Sequence, residues 1–152
     1  PESSIYRYFN NKHSLLIYLT SWYWTWTEYR LVFATTNVDC PENRLKKCID
    51  ILTQPVEVDD DISYVNEVLL SEIIFSESIK AYHNKNVVQR VSDIVLEIKP
   101  GFNYPHMLIS TVIEGAHQQK YFAEHLPRLT DRTEDKKAIT SFYSKLVWNF
   151  FK

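Results

Sequence analysis

Glycine is scarce in this chain: Gly101 and Gly115 are its only glycines among 152 residues. Folds rich in β-turns use many glycines, because glycine adopts the left-handed backbone of tight turns without steric cost. Glycine-rich phosphate-binding loops are excluded for the same reason, and the G-x-S-x-G and H-E-x-x-H signatures are absent. The sequence therefore predicts an all-α fold and offers no enzyme motif.

Cysteine and net charge are also limited. Cys40 and Cys48 are the only cysteines, and their spacing fits neither a CxxC motif nor a metal site. We expect reduced thiols, as in a cytoplasmic protein. The formal net charge is −2, so any contact with nucleic acid must be local. No apolar run approaches the roughly 20 residues that a membrane span requires, so no membrane partner is expected.

Prolines divide the chain into stretches with helical periodicity. Because proline breaks helix interiors, Pro41, Pro55, Pro100, Pro105 and Pro127 are expected to lie between helices. The apolar pattern between them predicts helices near residues 3–9, 12–36, 42–54, 60–82, 86–99, 104–125 and 132–151.

The first residues carry the most informative motif. Ser4-Ile5-Tyr6-Arg7-Tyr8-Phe9 reads as a short helix after a serine cap; a turn at Asn10-Asn11 follows, and a second helix starts at Lys12. This pattern, with Leu15 and Leu16, resembles the recognition helix and following turn of TetR-type bacterial transcriptional regulators. The stretch Glu114-Gly115-Ala116-His117 with Phe122-Ala123 is similar to the penultimate helix of that family.

This resemblance implies a ligand-responsive, DNA-binding regulator that acts as a homodimer, with repression as the default. Two more helices of the helix-turn-helix would precede Pro1. Residues 1–16 would be the last part of the DNA-binding domain, and residues 17–152 an antiparallel helical domain for ligand binding and dimerisation. Phosphate and base contacts to operator DNA would come from Ser3, Ser4, Tyr6, Arg7, Tyr8 and Lys12, with Arg7 or Ser3 reaching the bases. No cofactor is implied.

The helix predicted over 12–36 is apolar on nearly every face, which is typical of a helix that is buried or lines a cavity. One stripe of it contains Trp22, Trp26, Tyr29 and Phe33. Facing Tyr64, Phe75 and Phe102 from other helices, this stripe could wall a cavity for an apolar or aromatic ligand, with Glu67, His117 and Gln118 as directional contacts. Taken one by one, however, these aromatics are more often plain core than ligand contacts.

The last two predicted helices carry wide apolar faces, and the small Gly115 and Ala116 would let another helix approach closely. The resemblance implies that two such helices from each subunit form a four-helix dimer bundle; on spacing alone, both could equally face their own core. The residues concerned are Leu108, Val112, Gly115, Ala116, Phe122, Ile139, Phe142, Tyr143, Leu146 and Phe150.

Two other function classes stay open from the sequence. Glu114 and His117 have the i, i+3 spacing of metal-binding bundles, but a second such pair and further carboxylates are missing, so no metal site is expected. A helical small-molecule-binding enzyme would need a carboxylate acting in a pocket. A helical dimerisation or adaptor domain without DNA binding would need no motif at residues 3–12. Specific binding to duplex DNA separates the regulator from both.

Overall fold

The computed structural model describes residues 4, 7–54, 85–131, 135 and 137–152. Five α-helices occur in these ranges, and no strand does: α1 (Lys12–Thr35), α2 (Pro41–Thr53), α3 (Lys85–Ile98), α4 (Pro105–His125) and α5 (Ala138–Asn149). A 3₁₀ turn, Pro127–Leu129, follows α4. The all-α class predicted from the sequence is confirmed.

The boundaries of α1 to α4 agree with the sequence pattern, whereas the last helix and the end of the helix predicted over 3–9 do not. The helices predicted over 12–36, 42–54, 86–99 and 104–125 begin and end within one residue of α1 to α4. The helix predicted from residue 132 begins only at Ala138. The Asp135 carboxylate accepts a hydrogen bond from the Lys137 amide at 2.8 Å and forms a local turn there. The helix predicted over 60–82 lies outside the described residues.

α1 has a defined start and a defined stop. The Asn11 side chain accepts a hydrogen bond from the Ser14 amide at 2.8 Å, which satisfies one of the free donors of the first turn. At the other end, Asn37 adopts a positive φ of 61°, a conformation that asparagine tolerates better than most residues. Between these signals the helix runs for 24 residues, about 36 Å.

α2 is the central helix of the described fold, because it contacts each of the other four helices. Its inner face is fully or almost fully buried and consists of Leu45, Cys48, Ile49, Leu52 and Thr53. The hydroxyl of Thr53 donates to the Ile49 carbonyl at 2.7 Å and also lies 3.0 Å from the Thr140 hydroxyl on α5. α1 packs against α2 and α3, while α4 and α5 pack against each other and against α2.

Two lysines bind the carbonyl groups at helix ends. Lys120 on α4 donates to the Gln54 carbonyl at 2.9 Å, just beyond α2, and Lys99 donates to the Phe150 carbonyl at 3.0 Å, just beyond α5. A cation at the carboxyl end of a helix satisfies an unpaired carbonyl and complements the helix dipole. None of the described helices has the length and apolar character of a membrane span.

Candidate functional site

The residues predicted to contact DNA are open to solvent where the structure describes them. Ser4, Arg7, Tyr8 and Lys12 are all exposed, with Arg7 and Tyr8 in a turn and Lys12 as the first residue of α1. Ser3 and Tyr6 lie outside the described residues. Of the helix predicted over 3–9, residues 7–9 are described and are not helical, so the prediction was wrong there. The ring of Phe9 packs against Tyr18 with centroids 5.3 Å apart, so the turn at residues 7–9 is held against α1.

The predicted ligand cavity required the aromatic stripe of α1 to face the core. In the structure the stripe faces away from the core. Trp22 is 37%, Trp26 36%, Tyr29 59% and Phe33 75% exposed. The helix buries a different face instead, made of Leu16, Thr20, Tyr23, Trp24, Thr27 and Leu31. The prediction of the inward face was therefore wrong.

Buried threonines explain why the sequence pattern chose the wrong face. Thr20 and Thr27 count as polar in a periodicity analysis, yet both are buried. The hydroxyl of Thr27 donates to the Tyr23 carbonyl at 3.0 Å, one turn earlier in the same helix. A threonine that satisfies its hydroxyl in this way presents its methyl group to the core. The helix thus had two faces that could be buried.

The four exposed rings form a regular array, which we call the aromatic ladder (Trp22, Trp26, Tyr29 and Phe33). Successive rings are nearly parallel: the interplanar angles are 12°, 15° and 21° for the three consecutive pairs. Their centroids are separated by 6.4, 5.7 and 6.4 Å in the same order. The ladder is thus a continuous aromatic surface along α1.

The other predicted ligand contacts are not gathered around the ladder in the described part of the chain. Phe102 packs against Phe150 and Phe151 beside the end of α5, with centroids 5.9 and 6.2 Å away. His117 and Gln118 lie on α4, half-buried and exposed respectively. Tyr64, Glu67 and Phe75 fall outside the described residues.

Half of the predicted dimer interface belongs to the core of the single chain. Five of the ten residues are buried there: Leu108, Val112, Ala116, Ile139 and Tyr143. Gly115 does allow a close approach, but by the chain's own α5. A Cβ atom on Gly115 would lie 2.9 Å from Cζ of Tyr143. The five buried residues belong to the core of the chain and Gly115 is closed by Tyr143, so the assignment of these six to a contact between subunits is corrected.

The remaining predicted interface residues lie farther out on the same two helices. Phe142 is 59% exposed and Phe150 is also exposed, while Phe122 and Leu146 are half-buried. These four side chains leave an apolar surface on α4 and α5 that is smaller than the predicted one, and we call it the α4–α5 surface.

A polar groove of about 410 Å³ lies between α1, α2 and α3. Two ion pairs cross it. Arg90 on α3 contacts Glu28 on α1 at 2.9 Å, and Arg44 on α2 binds Glu97 on α3 through two nitrogens at 2.5 and 3.2 Å. Hydrogen bonding to Glu97 raises the pKa of the Arg44 guanidinium, which stays protonated. A third carboxylate, that of Asp93, also lines the groove and accepts a hydrogen bond from Gln89 Nε2 at 2.8 Å.

Sequence reasoning missed this groove. A signal existed on α3, where Gln89, Asp93 and Glu97 recur at four-residue steps along one exposed face. The partners Glu28 and Arg44 lie on other helices and far away in sequence, so the pattern alone could not pair them.

Cys48 lies buried close to these arginines. Burial raises the pKa of the Cys48 thiol to about 12, although the positive charges of Arg90 and Arg44 favour the thiolate. A thiol of this kind is protonated and unreactive at neutral pH, unlike the low-pKa thiols of catalytic sites. Cys40 is exposed at the start of α2, and its Sγ donates to a carboxylate oxygen of Glu42 at 3.0 Å.

The contrast between the two cysteines predicts distinct labelling and pH behaviour. At pH 8 a thiol reagent should modify Cys40 rapidly and Cys48 only after unfolding in urea. The unfolded Cys48 thiol ionises near its ordinary value of 9.0, whereas the folded one keeps its proton until about pH 12. The free energy of unfolding should therefore fall as the pH rises from about 9 to about 12.

The matched control for this effect is Cys48→Ala, which removes the titrating group. Urea unfolding of both proteins between pH 8 and 11 should show a steeper loss of stability with rising pH in the wild type. Equal slopes, or equal labelling of both thiols in the folded protein, would contradict the assignment.

Comparisons of this chain with models of protein families, with characterised proteins and with solved structures gave no match. The features of this chain that point to a function are therefore the motif at residues 3–16 and the geometry of α1.

Proposed function

We propose that this chain belongs to a ligand-responsive, DNA-binding transcriptional regulator of TetR type that acts as a homodimer and represses by default. The observation that carries the proposal is the direct connection between the motif and the core. α1 begins at Lys12, immediately after the turn at Asn10-Asn11, and continues without a break to Leu31 in the core. A rigid helix of this kind can pass a displacement in the core to residues 3–12.

Exposure and charge at the motif support the DNA-binding part of the proposal. Arg7 and Lys12 are exposed, and the exposed Tyr8 presents a hydroxyl next to them. Such groups bind phosphates, and arginine is also the usual reader of guanine in the major groove. The Phe9–Tyr18 contact would transmit the position of α1 to this end of the molecule.

The proposed mechanism is a shift between two positions of α1. An apolar or aromatic ligand that contacts α1 would tilt it and change the separation of the two DNA-reading ends in a dimer. A nearly complete switch requires the ligand to prefer the non-DNA state by about 5.5 kcal/mol. The dimer itself would use the α4–α5 surface, since its exposed apolar side chains lie away from the core.

The experiment that tests the proposal is selection of duplexes from a random DNA pool by the full-length protein. A regulator of this type should enrich a palindrome, because a two-fold dimer presents the same surface to each half-site. A folded, ligand-free protein that enriches no sequence would contradict the proposal and favour the adaptor alternative. Turnover of a small molecule without any DNA affinity would favour the enzyme.

Arg7→Ala should weaken binding to the selected duplex by about 1–3 kcal/mol and relax base preference at one position of each half-site. The physical reason is the loss of a charged donor that can pair with a base edge. Fluorescence anisotropy with selected and single-base-substituted duplexes measures both effects.

The control for this variant is Arg128→Ala, which removes an equally exposed arginine from the turn after α4. It should leave both affinity and base preference unchanged. If Arg7→Ala binds the full set of duplexes like the wild type, Arg7 does not read the operator.

A further inference from the structure

The aromatic ladder is a surface of unusual composition for a solvent-facing helix. Exposed tryptophan and phenylalanine are costly in water, and monomeric proteins rarely expose contiguous apolar patches above a few hundred Å². With Tyr18 one turn before it, the ladder leaves roughly 500 Å² of apolar surface open on one chain. Tryptophan and tyrosine are also the residues that most often dominate binding energy in protein interfaces.

We propose that the aromatic ladder is a contact surface for the ladder of a second copy of this chain. Two such surfaces bury about 1,000 Å² in total, which is about the least area that a specific protein interface needs. The contact is distinct from the α4–α5 surface and does not depend on DNA binding by the protein.

The spacing of the rings makes the ladder self-complementary. In an antiparallel pair of α1 helices related by a two-fold axis between Trp26 and Tyr29, Trp26 of each copy lies opposite Tyr29 of the other. The same axis places Trp22 opposite Phe33. A two-fold contact needs such reciprocal pairing, because one surface must fit itself. None of the four ladder positions carries a charge, so pairing leaves no ladder charge buried.

The contact also explains the parallel orientation of the rings. Stacking along one helix, with interplanar angles of 12° to 21°, arranges the rings as a ridge. Ridges on two helices pack by fitting into the grooves of the partner. The most exposed ring, Phe33, lies at one end of the ridge, where a partner helix would cover it.

Sedimentation equilibrium of the protein, with and without Phe33→Glu, tests the inference. The variant should halve the mass of the assembly, or raise its dissociation constant at least about tenfold, because it places a charge in an apolar contact. Met107→Glu is the matched control, since Met107 is an exposed apolar side chain on α4 that belongs to neither the ladder nor the α4–α5 surface. It should not change the dissociation constant of the ladder contact. Circular dichroism confirms that both variants are folded.

A charge-swap pair separates a direct contact from an indirect one. Trp26→Glu and Tyr29→Lys should each dissociate the assembly alone. An equimolar mixture of the two should restore it, because the glutamate of one chain then faces the lysine of the other. If the ladder variants leave the mass and the dissociation constant unchanged, the inference is wrong, and the ladder is covered within its own chain or by a small ligand.

Discussion

Replacing Leu31 with alanine is expected to lower the free energy of unfolding by about 2–5 kcal/mol. Leu31 has no solvent exposure and lies where α1 joins the core formed by α2 and α3. The substitution removes apolar contacts and leaves a cavity that the neighbouring helices can only partly close. Urea unfolding followed by circular dichroism measures the change.

The adjacent residue provides a matched control. Val32 is 38% exposed on α1, so Val32→Ala should change the stability by no more than about 0.5 kcal/mol. If the two variants were equally stable, α1 would not be buried through Leu31. If Val32→Ala were the more damaging, the ladder side of α1 would be the core side.

Leu31→Ala should also weaken operator binding more than its loss of stability explains, if α1 transmits motion as proposed. The substitution loosens α1 at its attachment to the core while leaving Arg7 and Lys12 unchanged. Anisotropy measurements with folded protein separate this effect from unfolding.

Gly115→Val is the second substitution with a large expected effect, a loss of at least about 2 kcal/mol. A Cβ atom at this position would lie 2.9 Å from Cζ and 3.2 Å from Cε1 of Tyr143, and still closer to the Tyr143 hydroxyl. Because Tyr143 is buried between α4 and α5, the whole ring must move or the helices must separate. A melting curve followed by circular dichroism detects the loss.

Two further variants test the cause of this loss. Gly101→Val is the matched control: a Cβ at Gly101 meets nothing within 4 Å, and its φ is not positive. It should be nearly neutral. Combining Gly115→Val with Tyr143→Ala should cost at least about 1 kcal/mol less than the sum of the single losses, because the clash is removed. Simple additivity would show that Gly115 and Tyr143 do not interact.

Dimerisation of the Gly115→Val protein tests the proposed dimer contact. The α4–α5 surface depends on how closely these two helices pack, and Tyr143 beneath Gly115 sets that distance. A variant that remains folded but separates the helices should weaken dimerisation through Phe142 and its neighbours. If such a variant dimerises like the wild type, the subunits use a different contact.

Much of the helical layout could be predicted because its signals are local. Asn11 caps α1, and Pro41 and Pro105 stand at the first positions of α2 and α4. Such signals depend on residues within one turn of a helix end, so they are readable without knowledge of the fold. The start of the last helix was missed because the Asp135 side chain forms a local turn that the apolar pattern does not reveal.

The faces of the helices were harder to predict than their ends. α1 is apolar nearly all round, so periodicity could not decide between the ladder and the face that contains Leu31. Likewise, the apolar pattern in the sequences of α4 and α5 is the same whether these faces pack within one chain or against a second subunit. Leu108 and Ile139 turned out to be core residues of a single chain. The two ion pairs of the groove could not be predicted from the sequence, because the paired residues come from three different helices.

The all-α class, the ends of four helices and the motif that supports the regulator proposal were all readable from the amino-acid sequence. These properties depend on glycine and proline content and on short-range capping, which act before the chain is packed. In contrast, the packed helices were needed to show that the aromatic ladder faces outward, that Tyr143 lies against Gly115, and that Arg44 and Arg90 form ion pairs across the groove. Burial and ion pairing could not be read from the sequence because they depend on which surfaces meet in space.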